Sequence, residues 1–298
     1  MLITTSLLAD AGEVHFSWNP IANLQELFAF HFMQNAFLAG TMIAIVAGAM
    51  GYFMVLRGQS FAGHTLANVG FAGASGAALL GGSPVVGMLL FGIAAVFGID
   101  WLSGRTQRAK IPGGQDVAIG TTQTFALGLG LLFVQLGTSY AAGIYALLFG
   151  AVLGISDRDI AVIALTAGTT LTGLMAIARP LLFASIDADV AAARGVPVRL
   201  LNRLFLILLA FAVAEAVQVV GVLLIFALLV TPAAIAEQVT ARPIAAVGLS
   251  MGLAIGFTWA GLAVAYFIPY PVGFFITSFA FATYVAVRLR RIRWQPSV

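Results

Sequence analysis

Between residues 33 and 288 the sequence is a succession of apolar runs, each near the length that carries a helix across a bilayer, roughly 20 residues. Runs of this length read as spanning helices near 33–56, 60–82, 84–104, 116–136, 159–178, 203–220, 221–239, 243–268 and 270–288. Two places stay open. The pair 203–239 is short for two crossings and reads either as one long tilted helix or as a hairpin. The run 140–156, "YAAGIYALLFGAVLGIS" with its flanks, is short and glycine-rich, and reads as re-entrant or interfacial; a re-entrant piece must be shielded by protein because bare backbone in lipid is costly. Composition closes the other exit. Only 8% of residues are charged and 61% are hydrophobic, whereas a soluble domain is about a quarter charged. The expected fold is an all-α polytopic membrane bundle of about eight to nine helices.

No long polar block divides the chain, so residues 1–298 read as one domain. Its expected parts are an external segment 1–32, a cytoplasmic connection 179–203 and a basic cytoplasmic tail 288–298. Lys and Arg set this orientation. None precedes Arg57; the rest gather at Arg105, Arg108 and Lys110, at Arg179, Arg194, Arg199 and Arg203, at Arg242, and at Arg288, Arg290, Arg291 and Arg293. Nine crossings with the N-terminus outside put every cluster in the cytoplasm except Arg158, which Asp157 and Asp159 flank. The net charge of +3 therefore reads as orientation and not as nucleic-acid binding. The opening "MLITTSLLADAGEVHF" has no cation and makes a poor secretory signal. With no cysteine there is no disulfide, thiolate metal site or thiol nucleophile.

The connection "RPLLFASIDADVAAARGVPVRLLNR" starts with Arg-Pro, which favours a break. Within it "DADVAAAR" reads as a short helix, with acids at its start and an arginine at its end to suit the dipole, stopped by Gly195 and Pro197. It is either a docking handle for a partner or a solvated joint between two spans.

Polar groups inside spans are the other signal, because they face protein or water and are often functional. His64 and Asn68 lie one helical turn apart in "FAGHTLANVG". His64 reads as a cation ligand in a path or as a packing histidine, and Asn68 as its neighbour in that path or as an interhelical hydrogen bonder. Glu215, in "FAVAEAVQVVG", faces protein or a path, paired or protonated. His15 and His31 read as interfacial residues. Asp100 is expected to pair with Arg105, and Glu237 with Arg242. Pro232 reads as a kink or a helix-end proline. No H-E-x-x-H or P-loop occurs, so neither zinc-protease chemistry nor ATP chemistry is indicated in this chain.

Five stretches, in order, carry a resemblance: "MVLRGQSFAGHTLANVGFAGA", "QDVAIGTTQTFALGLGLL", "LLFGAVLGISDRDI", "SIDADVAAARGVP" and "QVVGVLLIFALLVTPAAIA". Together they resemble the metal-ion ABC transporter permeases, the membrane subunits of zinc, manganese and iron importers. The resemblance implies a permease dimer in the bacterial plasma membrane, two cytoplasmic ATPase subunits and an external solute-binding protein or lipoprotein. It implies no permanent cofactor, with a divalent metal ion as cargo and ATP hydrolysis left to the partner. "SIDADVAAARGVP" matches the family's coupling helix, placing Asp187, Ala191, Arg194 and Gly195 against the ATPase. The family's second helix usually reads Gly-Asp-Ala-x-Ser-His-Ala, with the Asp and His on the ion path. Here Gly63, His64, Thr65, Leu66, Ala67, Asn68 and Val69 stand there. The i, i+4 spacing is kept and the carboxylate is lost; imidazole suits late divalent metals, and a carboxamide oxygen is a weak neutral ligand. The metal ligand implied is His64, with Asn68 as a further path residue; Glu215 joins them as a path candidate only through its place inside an apolar span. An organic metal chelate as cargo, or an ion-coupled secondary carrier, are the alternatives.

Overall fold

The computed structural model describes residues 27–108, 114–137, 148–150, 154–268 and 270–293. Among them there is no strand. In chain order the helices are α1 (His31–Leu56), α2 (Ser60–Leu79), α3 (Pro84–Arg108), α4 (Gly114–Leu136), α5 (Asp157–Ile186), α6 (Ala188–Ala193), α7 (Val198–Val220), α8 (Val222–Val239), α9 (Pro243–Phe267) and α10 (Val272–Arg293). Seven are long and apolar enough to cross a membrane. The other two long helices, α2 and α8, occupy expected spans; α2 is diluted by glycine and polar residues, and α8 is short at 18 residues.

The central helix is α1, packed on α9, α8, α5 and α7. Small residues let it be approached closely, as helices in lipid require. A Cβ at Gly48 would meet the Met251 backbone of α9, and one at Gly51 would collide with the Leu229 carbonyl of α8. On one flank α2 packs against α3 and α4, with Gly73 and Gly87 backbone to backbone. On the other, α10 packs on α9 and α8.

Polar ties at the two ends show that the long helices alternate in direction. At one end Asn35 of α1 donates to Asp157 Oδ1 at 2.9 Å and to the Ile155 carbonyl at 3.1 Å. His31 Nε2 stands 3.7 Å from the same Asp157 oxygen. At the other end Arg57 donates to Asn202 Oδ1 at 2.8 Å, and Arg203 pairs with Asp100 at 2.7 Å. The helix ends carrying Arg57, Arg179, Arg203, Arg242 and Arg288 all lie at this second, basic end.

Several expectations are corrected. The connection expected over 179–203 shrinks to 187–197, because α5 runs through Pro180 to Ile186 and α7 starts at Val198; proline is tolerated inside membrane helices where neighbours satisfy the freed backbone. The expected tail from 288 is helical as far as Arg293. The open pair 203–239 is two helices broken at Gly221, whose φ of 86° is left-handed. Its backbone is packed against that of Leu148, Phe149 and Gly150, although the Phe149 side chain stays exposed. Asp100 pairs with Arg203, which lies across the α3–α7 interface, while side chains at 104–116 lie outside the described set. Glu237 turns inward beside Tyr52 with Oε1 unpaired, and makes no described ion pair with Arg242. Asp159 feels the Arg158 charge, as expected, and also closes a capping box with Ser156 at the start of α5.

Candidate functional site

Helix α2 starts directly after the α1–α2 turn, where Gly58 has a φ of 64° and Gln59 is the N-cap. Its inner residues are small, so α1, α3, α4 and α8 all come close to it. Thr65 is fully buried and donates to Gln123 of α4 at 3.0 Å. The sequence reading passed over Gln123, although a glutamine inside an apolar run was the available signal. Three residues beyond Thr65, Asn68 is 7% exposed. It shares one side of α2 with His64.

His64 is half-buried and enclosed by aromatic rings. Phe226 of α8 meets it edge-on with centroids 5.4 Å apart, and Phe61 stands at 6.0 Å. Its Nδ1 is buried and receives no hydrogen bond. A packing histidine inside a membrane is expected to use that nitrogen on a neighbouring carbonyl. The open imidazole nitrogen and the Asn68 carboxamide stand on one side of α2, two neutral groups one turn apart. Among the described residues no three of His, Asp and Glu converge.

Glu215 sits elsewhere, on α7 and 3% exposed. The Thr166 hydroxyl of α5 lies beside it. That hydroxyl donates instead to the carbonyls of Val162 and Ile163, at 2.9 and 3.1 Å. Both Glu215 oxygens are thus left without a hydrogen bond, and Thr170 Oγ1 nearby on α5 is unpaired as well. A buried, unsatisfied carboxyl of this kind is costly and marks the α5–α7 seam as a polar point inside the bundle. The structure gives it no contact with His64 or Asn68.

At the basic end α6 is fully specified by its own sequence. Asp187 caps it, accepting from the amides of Asp189 at 3.1 Å and Val190 at 2.9 Å. Gly195 ends it with a φ of 82°, and the Val196 amide returns to the Ala191 carbonyl at 3.0 Å. Asp187, Arg194 and Gly195 are exposed. Ala191 is not: at 0% exposure it seats α6 on the rest of the chain and is closed to any partner, which corrects its expected place in an ATPase contact.

Residues 29–291 match the model of the ABC 3 transport family. The manganese import system permease protein ScaB of Streptococcus parasanguinis is 35% identical over 210 residues, covering 70% of this chain and 72% of that protein. The manganese transport system membrane protein MntC of Halalkalibacterium halodurans is 31% identical over 220 residues, 73% of either chain. The solved structure of PsaBC from Streptococcus pneumoniae in complex with Fab is 29% identical with a TM-score of 0.80, covering 90% of this chain and 94% of that one.

Proposed function

The chain belongs to the ABC 3 transport family, and on that premise we propose that it is the permease of a manganese importer, driven by a separate ATPase and fed by an external binding protein. A permease is the membrane component, and this one is a multi-pass protein of the bacterial plasma membrane. Manganese comes from the names of its relatives, ahead of zinc and iron. Mn²⁺ prefers oxygen ligands; Asn68 Oδ1 is an oxygen on the same side of α2 as His64, and Glu215 adds a buried carboxyl elsewhere in the bundle, on α7. Two copies of His64 and Asn68, brought together in a permease dimer, would double a set that is too sparse in one protomer. The missing carboxylate at position 64 makes a seat that holds its ion loosely, which suits passage better than storage.

The observation that carries the reading is α6: a short, doubly capped helix with exposed polar ends, seated at the basic end between α5 and α7. It has the build of a lug that an ATPase grips. Its test is uptake by the complex reconstituted in proteoliposomes, with Mn²⁺, Zn²⁺, Fe²⁺ and a ferric chelate offered in parallel. Manganese is expected to lead. Uptake of the chelate alone would overturn the cargo assignment. Gly195→Val, which strains the left-handed terminus of α6, is expected to lower stimulated ATP hydrolysis while membrane insertion persists.

A further inference from the structure

The basic end holds a network that neither the family resemblance nor the sequence reading pointed to. Arg57 closes α1 and fans out over three elements. Its Nη2 donates to Asn202 Oδ1 at 2.8 Å, its Nη1 reaches Ser185 Oγ at 3.5 Å, and its Nε reaches Gln59 Oε1 at 3.3 Å. Gln59 Nε2 donates to the same Asn202 oxygen at 2.9 Å. The guanidinium carbon also lies 5.4 Å from the centroid of Phe205, a ring with 0% exposure, within cation–π range.

Two features make this more than a surface tie. First, every described partner is neutral; the described ion pairs are His31–Asp157 and Arg203–Asp100. A part-buried cation without a counter-ion is costly, and desolvation pulls the Arg57 pKa below its ordinary value. Geometry, not charge neutralisation, is what the planar fork supplies here. Second, the partners bracket α6. Ser185 lies two residues before its Asp187 cap, and Asn202 lies in the first turns of α7 just after it. On the other side Gln59 is the N-cap of α2, five residues before His64, or roughly 7 Å along the helix axis at 1.5 Å per residue.

We propose that Arg57 is a positioning residue, a rigid link that carries movement of the α6 base through Ser185 and Asn202 into the α1–α2 turn, and so into the helix bearing His64 and Asn68. The proposal rests on the reading of α6 as the ATPase contact. Displacement of α5 and α7 at their α6 ends drags the guanidinium with it, because three of its faces are bound there. The turn follows through Gln59 and Gly58, and α2 follows the turn as a rigid rod. The link keeps its contacts throughout the cycle, so it transmits without itself switching.

The experiment uses the whole complex in proteoliposomes and reads manganese transported per ATP hydrolysed. Arg57→Ala is expected to assemble and hydrolyse ATP at the basal rate, with transport per ATP falling about tenfold, within the usual range of coupling energies. Arg57→Lys, a point charge without a fork, is expected to recover only part of it. The chain has no cysteine, so Gln59→Cys with Asn202→Cys can be bridged by a short thiol crosslinker in the Arg57→Ala background. Bridging is expected to restore transport per ATP, and removing the bridge to abolish it again. If Arg57→Ala does not assemble, Asn202→Ala carries the same test with the cation left in place. Parental transport per ATP in whichever variant assembles, or no recovery on bridging, overturns the link. Gly195→Val separates the two failures: unchanged stimulated hydrolysis there refutes the docking role of α6, whereas impaired hydrolysis there with parental coupling in Arg57→Ala refutes the link alone.

Discussion

Helices α2 and α5 both cross the bundle with polar residues along their length, and they treat most of them differently. In α5 three threonines turn back on their own helix, Thr166 to Val162 O at 2.9 Å, Thr169 to Thr166 O at 2.9 Å and Thr172 to Gly168 O at 2.7 Å, while the buried Thr170 is left unpaired. Each of the three closes its own hydrogen bond, so the helix can leave Leu165 and Met175 facing outward, 70% and 73% exposed, with no polar demand on lipid. In α2 Ser75 also turns back, on the Phe71 carbonyl at 2.8 Å, but the two polar residues nearer the basic end do not. Thr65 bonds Gln123 of α4, and His64 Nδ1 bonds no one. A polar residue in a span therefore says little until its partner is known. One that is satisfied by its own carbonyls makes no demand on its neighbours, and one left open inside the bundle is the one to test by substitution.

That contrast can be broken in three places. The largest effect is expected from Gly73→Leu, since a side chain there runs into the Gly87 backbone of α3. Forcing two helix backbones apart costs more than the usual 1–3 kcal/mol of an overpacked core, and the variant should fail to give a monodisperse complex in detergent chromatography. Next comes His64→Ala. It should fold and bind its ATPase normally yet lose manganese flux about tenfold, as removal of one good ligand implies. Parental flux for every metal would return His64 to a packing role. In the unmodified protein the same flux should decline as acidification protonates the imidazole, because protonation removes the lone pair and adds a repelling charge; the His64→Ala remnant should be flatter over the same titration. The smallest effect is expected from Thr172→Val on the exposed side of α5. It should change thermal stability by less than about 0.5 kcal/mol and leave flux unaltered. A loss of flux there would mean that α5 hydroxyls serve a path after all.

Much of the fold was legible because membrane helices announce themselves locally. The nine apolar runs correspond to the nine long helices, and the Asp187 cap and Gly195 stop of α6 are written in six consecutive residues and their flanks. What was not legible is partnership. Asp100 meets Arg203 across a separation of 103 residues, and Arg57 meets Asn202 across 145; no local period encodes either. Local rules also misjudged Arg179-Pro180, because α5 draws its stability from neighbours that the dipeptide does not reveal. At the candidate site the spacing of His64 and Asn68 could be read, while the burial of Ala191 beneath its own helix could not, since a six-residue helix has too little pattern to say which side is inward.

The break at Gly221 has a consequence for how the chain is made. Helices α7 and α8, about 34 Å and about 27 Å long at 1.5 Å per residue, are joined by that one buried residue. The turn "VVGV" holds no polar side chain, so the turn itself adds nothing hydrophilic to what this pair carries into the bilayer; Glu215 and Gln218, just before it, are the polar load. With no loop between them, α7 and α8 are expected to leave the insertion machinery together, as a single wedge.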